Sequence, residues 1–256
     1  HFAAEITAIL RRHGGLLGAA TFMTPELDKA LDRIFRIAEE NGFDIDLHVD
    51  EAEDPAVRSL RHIADMALKF RFAGKVTVGH TCSLALQPKK EADETLRRVA
   101  EAGITVVSLP MCNMYLQDRH AGRTPRWRGV TLLHEMRARG IEVAVSSDNT
   151  RDPFYAYGDL DPVEVFREAV RILQLDHPFA DWPRIVTRAP AEILKRPDFG
   201  TIGVGHRADL ILFPARTWTE FLARPQSDRT VVRAGRAIDR RLPDYRELDE
   251  LMDVRA

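Results

Sequence analysis

Apolar runs of strand length recur at residues 16–21, 44–49, 75–80, 105–110 and 142–148, and the stretches between them carry helical patterns at 25–41, 56–70, 91–102 and 131–140. A strand-length run followed by a helix-length one, repeated at a steady rhythm, predicts βα units around a parallel sheet. Asn41-Gly42, Ala102-Gly103 and Arg139-Gly140 mark three helix ends, where Gly accepts the left-handed conformation. Phe2, Ile6, Ile9 and Leu10 place one more helix before the first strand. After the fifth run a long loop, 149–161, leads into helices at 162–175 and 190–194. The rhythm then changes: 208–213 and 230–234 are short strand-like runs on either side of a helical 217–223, which predicts β structure outside the parallel sheet. Two parts are expected, residues 1–200 and 201–256.

Composition narrows the function classes. The chain has 256 residues and 45% hydrophobic content, enough to bury a large core. Its net charge of -2 gives no reason to expect a nucleic-acid partner, although Arg119, Arg123, Arg126 and Arg128 form a local basic run with Trp127. That run lies in a loop, and a loop or subunit contact is the expectation. Cys82 and Cys112 are too few for a disulfide framework and read as buried free thiols. No apolar stretch of ~18 residues suggests a membrane span, and the expected location is the cytoplasm. The chain opens with His1 rather than Met, inside a helical pattern, so it is expected to lack its natural start.

The polar residues at the ends of the apolar runs carry the chemistry. In parallel α/β folds the active site sits at the C-terminal ends of the strands, and His48, His80 and Asp148 each fall there, on three different runs. Neutral imidazole and carboxylate suit zinc or ferrous iron, and an open position on such a metal lowers the pKa of bound water to ~7. Glu51, three residues after His48, is placed to move protons without ligating the metal. A lone strand-end His is more often structural, but three candidates of fitting chemical type reverse that expectation. His13, His62, His134 and His177 lie on helical stretches or their flanks and read as surface residues. Asp46 and Asp50 read as solvated loop charges, with an inward pair of Asp46 and His48 as the alternative for Asp46. The glycines of 200–205 read as a turn, since no strand enters and no helix leaves them with nucleotide-loop spacing.

Ile45-Asp46-Leu47-His48-Val49-Asp50-Glu51, Val76-Thr77-Val78-Gly79-His80-Thr81, Pro110 with Asn113 and Leu116-Gln117, and Asp148 followed by Asp152-Pro153-Phe154-Tyr155 resemble the bacterial cytosine deaminase group of the amidohydrolase superfamily. The tail Gly200-Thr201-Ile202-Gly203-Val204-Gly205-His206-Arg207-Ala208-Asp209-Leu210-Ile211 resembles that superfamily's closing segment, and the likeness runs over about residues 15–238. The resemblance implies an α/β fold, a TIM-type (β/α)8 barrel of which this chain supplies strands four to eight, with part of a small β-sandwich at its C-terminal end. It implies one divalent metal ion, iron or zinc, held by His48 and Asp148, with His80 on the hydrolytic water or a second metal. Glu51 would be the proton shuttle, protonating the ring nitrogen and then helping the exocyclic amine leave as ammonia.

The pattern also has departures. The group's first strand ends in His-x-His, and nothing before His48 supplies it. Five strands do not close an eight-stranded barrel, so a fragment, inactive or weakly metal-binding by itself, is expected. Asn149 stands where the group commonly has a second Asp, and Phe154 where a Trp often covers the base. These two would bind substrate, and they leave cytosine, 5-methylcytosine and isocytosine open as the small nucleobase-like substrate. A homo-oligomer is expected. The alternatives are an amidohydrolase acting on a triazine, hydantoin or imidazolone, and a non-catalytic barrel remnant serving as a binding or assembly module.

Overall fold

A computed structural model of the chain describes residues 2–252. Its first compact unit, His1–Gly200, runs α1 (Phe2–His13), β1 (Leu17–Ala20), α2 (Leu27–Asn41), β2 (Ile45–Val49), α3 (Ser59–Phe70), β3 (Val76–His80), α4 (Lys89–Glu101), β4 (Thr105–Ser108), α5 (Pro110–Leu116), α6 (Leu133–Ala138), β5 (Val143–Val145), α7 (Pro162–Leu173) and α8 (Arg188–Ile193). The five strands form one parallel sheet in sequence order, β1-β2-β3-β4-β5. Every neighbour is the next βα unit, as in a (β/α)8 barrel.

Alternation along each strand divides the sheet into two faces. On β2, Ile45, Leu47 and Val49 are buried while Asp46 and His48 are exposed on the other face. The buried set matches the apolar stripes of the helices: Leu31, Phe35 and Ala38 on α2, Leu60, Ile63 and Ala64 on α3, and Leu96 and Val99 on α4 are all buried. Phe35 anchors this layer, its ring 5.2 Å from Phe72 edge-on and 5.7 Å from Phe70. The opposite face lines a groove of about 650 Å³ whose walls include Asp46, Thr77, Val107 and Ala144. On that face Thr77 and its ladder partner Thr105 meet, Oγ1 to Oγ1, at 3.0 Å.

The expected strands and helices are present, and most are shorter than their apolar runs. β4 stops at Ser108 because Pro110 has no N–H to continue the ladder and instead opens α5 at a position that needs none. The Asn41-Gly42 stop is observed as a left-handed Gly42 whose N–H returns to α2.

The second compact unit, Thr201–Ala256, holds β6 (Leu210–Leu212), α9 (Trp218–Ala223), β7 (Thr230–Arg233) and β8 (Arg236–Ala237), with the strands in one antiparallel sheet, β6-β7-β8. β8 was not legible as a strand. It follows β7 through a two-residue turn, Ala234 and Gly235, both at positive φ; an Ala in place of the usual Asn or Asp hides the hairpin signal.

Candidate metal and catalytic site

Three strand ends converge on one cluster. Ligand atoms of Glu51, His80 and Asp148 all lie within 4.8 Å of one another. His80 Nδ1 is 3.4 Å from Glu51 Oε1 and 3.9 Å from Asp148 Oδ2. His48 joins from the other side of the same ring: His80 Nε2 and His48 Nδ1 are 3.0 Å apart. The four residues singled out from strand ends and the loop after β2 are therefore neighbours in space.

The backbone around them is turned sharply. His80 (φ 73), Thr81 (φ 55), Asp50 (φ 54) and Asp148 (φ 63) are all left-handed, which is uncommon for residues other than Gly. Hydrogen bonds hold these turns. Thr131 Oγ1 donates to the His80 carbonyl at 2.6 Å, Thr81 N–H to Val49 O at 2.8 Å, and Ser83 N–H to Asp50 O at 3.1 Å.

Asp50 is a correction to its reading as a solvated loop charge. It is only 2% exposed, and its carboxylate accepts from the N–H groups of Ser59 (2.7 Å) and Leu60 (3.0 Å), the first residues of α3. The residue preceding that helix, Arg58, offers no capping side chain, so Asp50 caps α3 from nine residues upstream. The loop carrying Glu51 is fixed as a result. Asp46 and His48 do share a face, as the alternative for Asp46 required.

Electrostatics distinguish the members. Burial, reinforced by the charge of Asp148 and opposed by the Asn113 hydrogen bond, raises the Glu51 carboxyl to about 7, although a third of the side chain is still exposed. Burial lowers His80 to about 4, against the pull of Asp148, so its neutral ring prevails. Asp148 Oδ2 is buried with no hydrogen-bond partner among the described residues. A buried carboxylate oxygen without a donor, facing a second carboxyl and two imidazoles, is a donor set that fits a divalent cation.

Sequence reasoning quoted Asn113 without giving it a role. It is fully buried on α5, and its Nδ2 lies 3.0 Å from His80 Nδ1 and 2.9 Å from Glu51 Oε1. Its signal was its place: a polar residue on the helix that leaves the C-terminal end of β4. The thiol of Cys112 beside it is pushed up to about 12 by burial first and then by Asp148, and its Sγ contacts Asn149 Oδ1 at 3.9 Å. Asn149 Nδ2 donates to Asp152 Oδ2 at 2.5 Å, so that side chain is turned to its own loop; Phe154, further along the loop, is 61% exposed.

Glu53, Asp118 and His120 form a second group with ligand atoms within 4.8 Å. Asp118 there is already paired with Arg123 and accepts from the N–H groups of Arg126 and Trp127, which hold its pKa well below the usual range. It needs no cation. Of the histidines read as surface residues, His62 pairs with Asp28 at 2.6 Å, His134 reaches Leu173 O at 2.9 Å, and His13 and His177 are exposed.

The model of the amidohydrolase family matches residues 6–239. A pterin deaminase of Rhizobium rhizogenes is 64% identical over 251 residues, which are 98% of this chain and 57% of that protein. Among solved structures, the 5-methylcytosine deaminase of Klebsiella pneumoniae superposes with a TM-score of 0.81 at 24% identity, covering 95% of this chain and 60% of that one. The N-isopropylammelide isopropylaminohydrolase of Burkholderia multivorans superposes with a TM-score of 0.71 at 27% identity, covering 92% of this chain and 58% of that one. The chain thus spans little more than half the length of these relatives.

Proposed function

The chain belongs to the amidohydrolase family, and on that premise we propose that it carries half of the active site of an enzyme that hydrolytically removes the exocyclic amine of an amino-substituted N-heterocycle. The observation that carries the reaction class is the convergence of Glu51, His80 and Asp148, with His48 bonded to the His80 ring. For the substrate, the 64% identity to a pterin deaminase favours a pterin over cytosine. The two are chemically close. The pyrimidine ring of a pterin bears its amine between two ring nitrogens, as isocytosine does.

His48 and Asp148 would hold a divalent ion, zinc or iron, with His80 beside them on the hydrolytic water or a second metal. When bound, that ion supplies Lewis acidity to a water molecule and to the group it attacks. The protein's own residues manage the protons. Glu51 has a carboxyl near 7, so both of its forms are populated at neutrality, and it can accept a proton and return it within one turnover. It first protonates the ring nitrogen beside the amine-bearing carbon and then the departing amine. Water adds, ammonia leaves, and the carbon becomes a carbonyl. His80, neutral and nearly inaccessible, orients the attacking oxygen by hydrogen bonding. Phe154 is proposed to cover the ring with its exposed face, and Asn149 to meet its polar edge.

The test is ammonia release by the product of the complete gene, purified with its metal, from pterin, isocytosine, cytosine and 5-methylcytosine. Pterin is expected to exceed cytosine by at least ~10-fold in kcat/KM, one contact's worth of discrimination. Glu51→Gln should lower kcat by roughly 10²–10⁴ while metal content is retained. Chelation should abolish turnover, and zinc or iron should restore it. A preference for cytosine would sink the substrate, and full activity in Glu51→Gln would sink the site. The likeness to N-isopropylammelide isopropylaminohydrolase makes alkylamine release from a triazine the second reading, detected in the same assay with that substrate.

A further inference from the structure

We infer that Glu53 is a positioning residue for Glu51: it fastens the loop after β2 to the segment that leaves α5, and residues 118–128 fold around Asp118 to form the other half of that clasp. Glu51 and Glu53 stand two apart on one loop, and both carboxylates accept from the same partner segment. Asn113 Nδ2 donates to Glu51 Oε1 at 2.9 Å, and the Asp118 N–H donates to Glu53 Oε1. The end of α5 explains why an outside acceptor is needed. The Gln117 N–H still returns to Asn113 O at 2.9 Å, whereas Asp118, left-handed at φ 53, has turned out of the helix. Asp118 is only 8% exposed, and a buried N–H that the helix no longer satisfies requires another partner. Glu53 supplies it from 65 residues away.

The Asp118 carboxylate organises the residues that follow. It pairs with Arg123 and accepts from the N–H groups of Arg126 and Trp127, the latter at 3.2 Å. The loop closes where it began. A Cβ on Gly129 would fall 2.1 Å from the Cβ of Gln117, an approach open only to Gly. Ends that meet around a polar centre of their own make this an Ω-type loop. The basic run noted in the sequence is accounted for by the same loop. Arg123 is bound to Asp118, Arg128 donates to Ile172 O at 2.6 Å, and Arg119 lies over the Tyr115 ring at 4.1 Å. Arg123 is also drawn by the charge of Glu53, which offsets the repulsion between two neighbouring carboxylates. The loop bearing Glu51 is thus held on two sides: Asp50 ties it to α3, and Glu53 ties it to the segment after α5. A carboxyl that must take up a proton and deliver it to two different atoms has to keep its place between them, and Glu53 secures that place without touching the reacting groups.

The clasp stands on this geometry, whereas its effect on turnover rests on the role proposed for Glu51. Both are measured in the metal-loaded product of the complete gene. Amide hydrogen exchange resolved at Asp118 should show protection in wild type and exchange at least ~10-fold faster in Glu53→Ala, as expected for a lost bond to a charged acceptor. Glu53→Gln keeps an accepting oxygen and should preserve the protection. Exchange at Asp118 that is equal in wild type and Glu53→Ala overturns the clasp. With pterin as substrate, Glu53→Ala should lower kcat roughly 10- to 100-fold with KM changed less than about threefold and bound metal retained. Glu53→Gln should restore most of that loss. Arg123→Ala, which loosens Asp118 and leaves Glu53 in place, should lower kcat in the same direction. Wild-type kcat in both Glu53→Ala and Arg123→Ala, a rise in KM with kcat unchanged, or loss of metal in step with kcat overturns the positioning role. If wild type releases ammonia from no heterocycle, the functional proposal fails, while exchange at Asp118 still decides the clasp.

Discussion

Replacing Asp50 by Ala tests whether the loop bearing Glu51 is held by a long-range helix cap. The side chain accepts from two backbone N–H groups, at 2.7 and 3.0 Å, that belong to the fully buried Ser59 and Leu60. Removing it strands both donors where water does not reach. Each stranded donor costs about 1–3 kcal/mol, and relief of the buried carboxylate's own desolvation works in the opposite direction. A net loss of about 2–4 kcal/mol is expected, at the upper end of or above the ~0.5–2 kcal/mol of an ordinary cap. Asp50→Asn keeps one acceptor oxygen and should lose only about 1 kcal/mol. The pH dependence has a definite sign. Burial raises the Asp50 pKa above 3.8 despite its hydrogen bonds, so the folded state holds the proton more tightly than the unfolded chain. Wild-type stability therefore falls as pH rises from 3.8 through the raised folded value, and Asp50→Ala lacks that fall. The gap between the two proteins should be wider at the acidic end of that window than at neutrality. Urea denaturation read as midpoint shifts at constant slope measures it. A loss below ~0.5 kcal/mol for Asp50→Ala, the scatter of ordinary surface changes, would refute the cap.

Phe35→Ala removes a ring with no exposed surface that contacts both Phe70 and Phe72, and should destabilise the first unit by about 3–5 kcal/mol in the same assay; a loss under ~1 kcal/mol would mean the layer repacks freely. Burial and then Asp148 push the Cys112 thiol up to about 12, so at pH 8 only about one in ten thousand is thiolate. Iodoacetamide should then label Cys112 only as fast as the protein opens, and labelling at the rate of a free cysteine would refute the buried environment.

The strands were legible because burial on one face writes itself as alternation: Ile45, Leu47 and Val49 against Asp46 and His48. The neighbourhood was legible because parallel strands put their C-terminal ends on one rim, so position along a run was enough to gather His80 and Asp148, with His48 against the His80 ring. What escaped notice depends on contacts made at a distance. Asp50 looks like a loop charge until α3 is seen to lack a local cap nine residues later. Asn113 has no periodic partner and acquires meaning only from two atoms on other segments, 33 and 62 residues away. β8 hid behind an Ala-Gly turn, and the bonds of Asn149 to Asp152 and Cys112 have no sequence pattern.

Strand alternation by itself would have separated the two site histidines. In the ladder, His48 pairs with Gly79 and Val49 pairs with His80. Residues paired across parallel strands project to the same face, so an extended His80 would follow Val49 into the buried layer, away from His48. The left-handed backbone at His80 cancels this. At φ 73 the residue leaves the pleat, and its ring comes to rest 5.0 Å from that of His48. For residues other than Gly such a conformation costs about 1–2 kcal/mol, and here it is repeated at Thr81, whose β-branched side chain tolerates it poorly. It persists because the surroundings determine it more than once: the His80 carbonyl is held by Thr131, the Thr81 N–H by Val49 O, and the His80 ring by His48 and Asn113. Strain at a strand end that costs stability and yields only a histidine facing two carboxylates and a second imidazole is expected of a site rather than of a scaffold. The same conformation recurs at Asp148, the other residue whose side chain must turn in to meet them.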